Sequence, residues 1–229
     1  MEKRGVSHIE VILSFLLFIS ASVLALYFFA PAYKTEVISS SMNFAYDSII
    51  KEASTSLESY YVNINPAECK SKDSVKIVIL DLAGNGARVE DNNGVFKNSK
   101  IDGTSILYQG CDLAAIYLSK DIDSINNCNS CNKQLDGTIA SSLTESVMSE
   151  KKLNNLKTEY TNNYDSLKNN LNIPSGTNFA FILVFPDGTE ISAEKNVPTG
   201  LNVYSQFTRL KVLKEDGTRP YAEFQVMVW

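Results

Sequence analysis

The chain has 229 residues and a formal net charge of −5, and 44% of its residues are hydrophobic. This length is enough for one large domain or two small ones with a packed core. Lys and Arg are not clustered, which argues against a nucleic-acid partner. His8 is the only histidine, so the composition excludes a Ser–His–Asp triad or a histidine-rich metal site from the rest of the chain.

The first predicted element is a membrane-spanning helix. Residues 11–32 carry no charge, and as a helix they would measure about 33 Å, close to the ~30 Å hydrocarbon core of a bilayer. A cleaved secretory signal is the alternative, but its apolar region is only about 7–15 residues long. We therefore expect a retained single-pass anchor whose first partner is the lipid bilayer.

Charges at the two flanks predict the orientation of this anchor. Lys3 and Arg4 precede the span, whereas Lys34 at the far flank is balanced by Glu36. The positive-inside rule places the basic flank in the cytoplasm. We expect a cell-membrane protein with a cytoplasmic N-terminus and an extracellular C-terminal head.

A short segment directly before the span has a recognisable pattern. Lys3 and Arg4 are followed by Gly5 and Val6, and Glu10 stands five positions after Gly5. Glycine has no side chain, so an extended backbone at Gly5 could enter a narrow site, such as that of a processing protease. A carboxylate in the first turn of a helix is stabilised by the helix dipole by about 0.3–1 kcal/mol.

This leader resembles the class III signal peptide of archaeal type IV pilin-like proteins. The resemblance covers the leader and the span, and it does not extend to the head. It implies that a prepilin peptidase cleaves between Gly5 and Val6, so that residues 1–5 are the leader. It also implies that Glu10, then the fifth residue, pairs with the freed amine of a neighbour as sister pilin subunits assemble into a surface filament.

The helix is predicted to continue beyond the membrane as a stalk. Ile38, Met42, Ala45 and Ile49 recur at helical spacing, and a second row of apolar residues extends to Tyr60. We therefore predict one transmembrane and stalk helix over residues 6–62. Its exposed apolar face would pack either on its own head or on sister subunits.

The head, residues 63–229, is predicted to combine strands with one long helix. Residues 75–82, 104–109 and 113–118 have strand character. Residues 139–172 are predicted to be helical, with an apolar stripe formed by Leu153, Leu156, Tyr160, Tyr164, Leu167 and Leu171.

Antiparallel hairpins are predicted over residues 177–229. Asp-Gly turns at 187–188 and 216–217 separate runs of apolar and β-branched residues. In the last run, the alternating Ala222, Phe224, Val226 and Val228 should face the core. The predicted fold class is α+β: a long N-terminal transmembrane and stalk helix carrying an antiparallel β-rich head with one further long helix.

Four cysteines lie in the predicted extracellular head. Cys69, Cys111, Cys128 and Cys131 allow three pairings in an oxidising compartment. We favour Cys69–Cys111 and Cys128–Cys131. A zinc site is less favoured because only one pair has the spacing of a zinc knuckle. A redox pair at 128–131 is also less favoured, because its Asn-rich surroundings lack the helix that would activate a thiolate.

Three function hypotheses follow. The first is a pilin-like structural subunit of a type IV pilus-like filament. The second is a single-pass anchored surface-binding protein that does not polymerise. The third, an enzyme of the cell envelope, has the least support because no nucleophile–base pair is recognisable, and we expect neither enzymatic activity nor a cofactor.

Overall fold

The first element of the protein is a single long helix. The computed structural model describes residues 8–65, 67–68, 72–80, 82–124, 126–197 and 199–229. Helix α1, His8–Ala53, contains 46 residues and is therefore about 69 Å long. The chain behind it is rich in β-structure, so the α+β class with one apolar N-terminal helix is confirmed.

The elements that follow α1 in the described residues are mostly β-strands. The strands are β1 Ser54–Asn63, β2 Ser74–Val78, β3 Gly86–Asp91, β4 Ser99–Asp102, β5 Ser105–Gln109, β6 Ala114–Ser119, β7 Gln134–Asp136, β8 Thr138–Ser149, β9 Phe179–Val184, β10 Glu190–Ala193, β11 Tyr204–Leu213 and β12 Tyr221–Val228. Helices α2, Glu150–Asn162, and α3, Tyr164–Asn170, lie between β8 and β9.

The strands form two sheets. The larger sheet has the order β10-β9-β12-β11-β8-β1-β6-β3, and the smaller has the order β4-β5-β2-β7. Neighbouring strands are antiparallel except for β8 with β11 and β2 with β7. The β8–β11 ladder holds only two residue pairs, Val212 with Met148 and Leu213 with Ser149, so the large sheet is narrowly connected at its centre.

The stalk helix is shorter than its predicted end at residue 62. Helix α1 ends at Ala53, and β1 begins at the next residue, Ser54. Ser54, Thr55 and Ser56 are poor helix formers, and the Ser54 hydroxyl donates to the Ile50 carbonyl at 2.6 Å. The tyrosines and valine that follow favour a strand, which overrides the apolar spacing that suggested a helix.

The single long helix predicted over 139–172 is not confirmed. Its first part is strand β8, whose Ser- and Thr-rich sequence pairs with β1 along ten residue pairs. The Ser149 hydroxyl then caps α2 by accepting from the Lys152 amide. Asn163 leaves helical geometry, with φ −144° and ψ 52°, and separates α2 from α3.

The two largest hydrophobic cores of the described residues involve different parts of the large sheet. The first contains the end of α1, helices α2 and α3, and the inner face of β9–β12. It includes the predicted stripe, with Leu153, Leu156, Tyr160, Leu167 and Leu171 buried and Tyr164 half-buried. The second core lies between the β1–β6–β3 part of the large sheet and the small sheet.

The C-terminal hairpins agree with the sequence prediction. Strand β9 pairs with β10 across the turn at 187–188, and β11 pairs with β12 across the turn at 216–217. Ala222, Phe224, Val226 and Val228 are all buried, whereas Tyr221 and Glu223 are exposed. The period-two alternation therefore assigns the core face of β12 correctly.

The turn between β11 and β12 contacts β3, which lies at the far edge of the large sheet. The Arg88 guanidinium on β3 is buried and donates to the Asp216 carbonyl at 2.6 Å and to the Asp123 carbonyl at 2.9 Å. Burial lowers the pKa of Arg88, while the Asp216 and Asp123 carboxylates act to raise it. Arg219 adds an ion pair with Glu90.

We expect Gly217→Ala to destabilise the protein more than Gly188→Ala does. Both glycines have positive φ, so each substitution costs about 1–2 kcal/mol in the left-handed region. A Cβ on Gly217 would also lie 2.3 Å from the Arg88 side chain, whereas one on Gly188 meets nothing within 4 Å. Overpacking adds about 1–3 kcal/mol.

The measurement is the free energy of unfolding in urea, with the full chain in detergent micelles. An equal decrease in the free energy of unfolding for the two variants would contradict a close packing of Arg88 against the turn at Gly217.

Candidate membrane anchor and assembly helix

The N-terminal half of α1 lies outside the head. Residues Glu10–Tyr27 have a mean hydropathy of 2.1, and none of the 18 is buried. Their length is about 27 Å, enough to cross most of the hydrocarbon core. A core helix of a globular domain would be buried, so this segment has the composition of a core and the exposure of a surface.

Most of the exposed side chains in this segment are large and apolar. Twelve large apolar side chains of the segment are exposed, namely Val11, Ile12, Leu13, Phe15, Leu16, Leu17, Phe18, Ile19, Val23, Leu24, Leu26 and Tyr27. At about 1.5–3 kcal/mol for each side chain, the unrealised burial is on the order of 20 kcal/mol. The segment is therefore long enough and apolar enough to span a membrane.

The C-terminal half of α1 belongs to the head. Met42, Ala45, Ile49 and Ala53 are buried in the first core, and Tyr46 packs against Phe224 with ring centroids 6.1 Å apart. Of the two packing partners left open for this face, the protein's own head is therefore the one observed.

The opposite face of this half is accessible. Phe44 is 45% exposed, and Asp47 and Lys51 are exposed one and two turns further along. Positions separated by three or four residues share a face of a helix. This face remains available to a neighbouring helix.

The predicted processing residues are only partly described. Glu10 lies in the first turn of α1 and is exposed. Lys3, Arg4, Gly5 and Val6 lie outside the described residues. The structure therefore places the assembly candidate at the start of the apolar segment and carries no geometry for the cleavage site.

The cysteines are oxidised wherever they are described. Cys128 and Cys131 form a disulfide with a Cα–Cα distance of 5.6 Å, and both are buried against Leu107. Cys111 is also disulfide-bonded, and its predicted partner Cys69 lies outside the described residues. Within the part of the chain that is described, no group of three His, Cys, Asp or Glu side chains could hold a metal.

A polar groove lies where α1 enters the head. Its volume is about 840 Å³, and its walls come from the last turns of α1, β1, the end of β6, β8 and Lys152. Its lining includes hydroxyl side chains and charged side chains of both signs. The charged ones include Asp47, Lys51, Glu58 and Glu145. Sequence reasoning missed the groove because one wall, β8, was predicted to be a helix.

Comparison with known proteins gives no relative. No protein-family model matches the chain, no curated protein matches it, and no solved structure matches its fold.

We expect Leu17→Arg to weaken membrane retention and Leu80→Arg to leave it unchanged. Leu17 lies in the apolar segment and is 65% exposed, and Leu80 on the head is 84% exposed. Arginine near the centre of a spanning helix costs about 3 kcal/mol of insertion free energy, whereas on the head it meets only water.

The measurement is the fraction of each variant that remains in the membrane pellet after an alkaline carbonate wash. Equal retention of the two variants would contradict the assignment of the segment as an anchor.

Proposed function

We propose that the protein is a pilin-like structural subunit of a type IV pilus-like surface filament, anchored and assembled through α1. The observation that carries the proposal is the exposed apolar half of α1, which is continuous with a half buried in the head. Such a helix can lie in a bilayer before assembly and against sister helices afterwards, with the head held outside in both states.

The face with Phe44, Asp47 and Lys51 supports packing between sister helices. It carries one large apolar side chain followed by an acid and a base spaced four residues apart. If two copies are displaced by one helical turn, Asp47 of one copy approaches Lys51 of the other. Exposed ion pairs contribute about 0.2–1 kcal/mol each, so this pair would set the alignment of neighbouring helices, and the apolar contact would supply most of the affinity.

Glu10 supports the same proposal at the other end of the helix. A carboxylate at the edge of an apolar segment needs an electrostatic partner when it leaves water. The leader resembles those cut by prepilin peptidases, and a cut before Val6 would create an amine close to this level of the helix. A second candidate function, an anchored surface-binding protein that does not polymerise, is favoured only by the polar groove of about 840 Å³.

Removal of residues 1–5 distinguishes the two candidate functions, since it is expected of a pilin-like subunit and not of a plain anchor. We expect the mature protein to begin at Val6, because residues 1–5 have the pattern of a leader removed by a prepilin peptidase. Gly5→Leu should abolish the cut, since a branched side chain cannot enter a site shaped for glycine.

The measurement is N-terminal sequencing of the membrane-bound protein, with Gly176→Leu as the matched control. A Cβ at Gly176 meets nothing within 4 Å, so this head variant should be processed normally. A mature protein that still begins at Met1 would favour the plain anchor.

Assembly depends on Glu10 under this proposal. We expect Glu10→Gln to reduce incorporation into filaments by about tenfold or more, because the charge-assisted hydrogen bond to a neighbouring amine contributes about 1.5–3 kcal/mol. Glu52→Gln removes an exposed carboxylate near the other end of the same helix and should assemble normally.

The measurement is the ratio of sheared filament protein to membrane-bound protein. Normal incorporation of Glu10→Gln would contradict the proposal that this carboxylate pairs with the amine of a neighbouring subunit.

A further inference from the structure

The polar groove at the end of α1 lies between residues of the two largest hydrophobic cores. Its lining includes Ile50, which follows the first-core residue Ile49, and Leu118, which belongs to the second core. Its volume of about 840 Å³ is within the range of about 300–1,000 Å³ that is typical of small-molecule sites. The groove is therefore large enough to hold an organic ligand.

The floor of the groove is formed by polar side chains on two neighbouring strands. Leu57 of β1 and Val147 of β8 are buried together in a small core. Because successive side chains of a strand point to opposite faces, the residues beside these two point away from that core. Four of those residues line the groove, and they are paired across the β1–β8 ladder: Ser56 with Ser146, and Glu58 with Thr144.

Many side chains of the lining have hydrogen-bonding groups that the protein itself does not use. Glu58 accepts from the Tyr60 hydroxyl at 2.8 Å, and Glu145 is paired with Lys211. Other lining side chains have neither a hydrogen bond nor an ion pair within the described part of the chain, namely Asp47, Lys51, Ser56, Lys120, Thr144 and Ser146. They offer both donors and acceptors to a ligand.

This mixture of groups favours a neutral ligand that both donates and accepts hydrogen bonds. Carboxylates only accept, ammonium groups only donate, and hydroxyls do both. An anion would be repelled by Asp47 and Glu58, and a cation would be repelled by Lys51 and Lys120. An apolar ligand would cover all these groups without giving them partners, which is unfavourable. Hydroxyl groups on a ligand could pair with every one of them.

The shape of the lining suits a ring with hydroxyls around its edge. Serine and threonine side chains are short, so a ring can approach the sheet closely. Ile50 and Leu118 add apolar surface to the lining, against which the C–H groups of such a ring can be buried. A sugar combines these two properties, because its rim carries hydroxyls and its ring faces carry C–H groups.

We propose that the polar groove binds a neutral oligosaccharide. Its hydroxyls form hydrogen bonds with Ser56, Thr144 and Ser146 on the floor, and with Asp47 and Lys120 on the walls. This inference goes beyond the proposed function, because a groove on the head can hold an oligosaccharide whether or not sister subunits assemble.

The probes are linear tetrasaccharides of glucose, mannose, galactose and N-acetylglucosamine, each in an α-linked and a β-linked form. Each is titrated to millimolar concentration against the full-length protein in micelles of a detergent that has no sugar head group. Saturation-transfer NMR measures binding, and amide hydrogen exchange locates the bound sugar.

We expect at least one neutral tetrasaccharide to bind and to slow exchange at residues 47–51 and 144–146. Ser146→Ala should weaken binding by about fivefold, because it removes one hydrogen bond between neutral groups. Ser141→Ala is the matched control and should have no effect. Ser141 is also an exposed serine of β8, but it points to the opposite face of the strand.

Charged groups test the preference for a neutral ligand. Lys120→Gln should weaken binding by about fivefold or more, because a charged donor forms the stronger hydrogen bond. Lys133→Gln, at an exposed lysine outside the groove, should have no effect. Versions of the bound tetrasaccharide that carry a sulfate or an amine should bind more weakly than the neutral one.

Three results would overturn the proposal. One is that no neutral tetrasaccharide binds, and another is that Ser146→Ala and Ser141→Ala have equal effects. The third is tighter binding of the sulfated version, which would assign the groove to an anion. All the measurements use unassembled protein, so failure of this proposal would leave the proposed filament function standing, and failure of filament assembly would leave this proposal standing.

Discussion

The central constraint in this protein is that one unbroken helix must satisfy two environments. The half of α1 that ends at Ala53 supplies Ala45 and Ile49 to the first core, where both are fully buried. The described apolar part of the other half, Glu10–Tyr27, is not buried by the head and is long and apolar enough to span a membrane. One helix therefore has two different surroundings, because the head covers its second half and leaves residues 10–27 exposed.

Within the head, side-chain contacts supplement the short ladder at the centre of the large sheet. Only two residue pairs join β8 to β11, and neighbouring contacts compensate for that narrow connection. The buried guanidinium of Arg88 donates to carbonyls from two separate loops, and Arg219 pairs with Glu90 while lying 3.5 Å from the Tyr117 ring centroid. Arg88 is buried, and a hydrogen bond from a charged donor is stronger than one between neutral groups.

The parts of the fold that could be predicted are those in which local preference and burial agree. The span at the start of α1 and the two Asp-Gly hairpins near the end are of this kind, and so is the alternation that buries Phe224. Residues 54–62 and 139–149 are predicted to be helical from their apolar spacing, but both form strands. Their Ser, Thr and Tyr content favours strands, and their long-range pairing with each other decides the outcome.

The groove and the Arg88 contacts could not be predicted in the same way. Each brings together residues far apart in sequence, such as Arg88 and Asp216, which are 128 positions apart. A single sequence carries no signal for such meetings when the charged residues involved look like ordinary surface residues. Cys128 and Cys131 are the exception, since their spacing of three residues makes local pairing simple.

The junction between α1 and β1 determines how the head moves. Ala53 ends the helix and Ser54 begins the strand, and the Lys152 ammonium donates to the Ser54 carbonyl at 2.6 Å. Without a linker there is no swivel, so any rotation of the helix about its axis turns the head by the same angle. In an array of such helices, every head would have the same orientation relative to its own helix. Each feature on the surface of the head would then repeat at the spacing between neighbouring subunits.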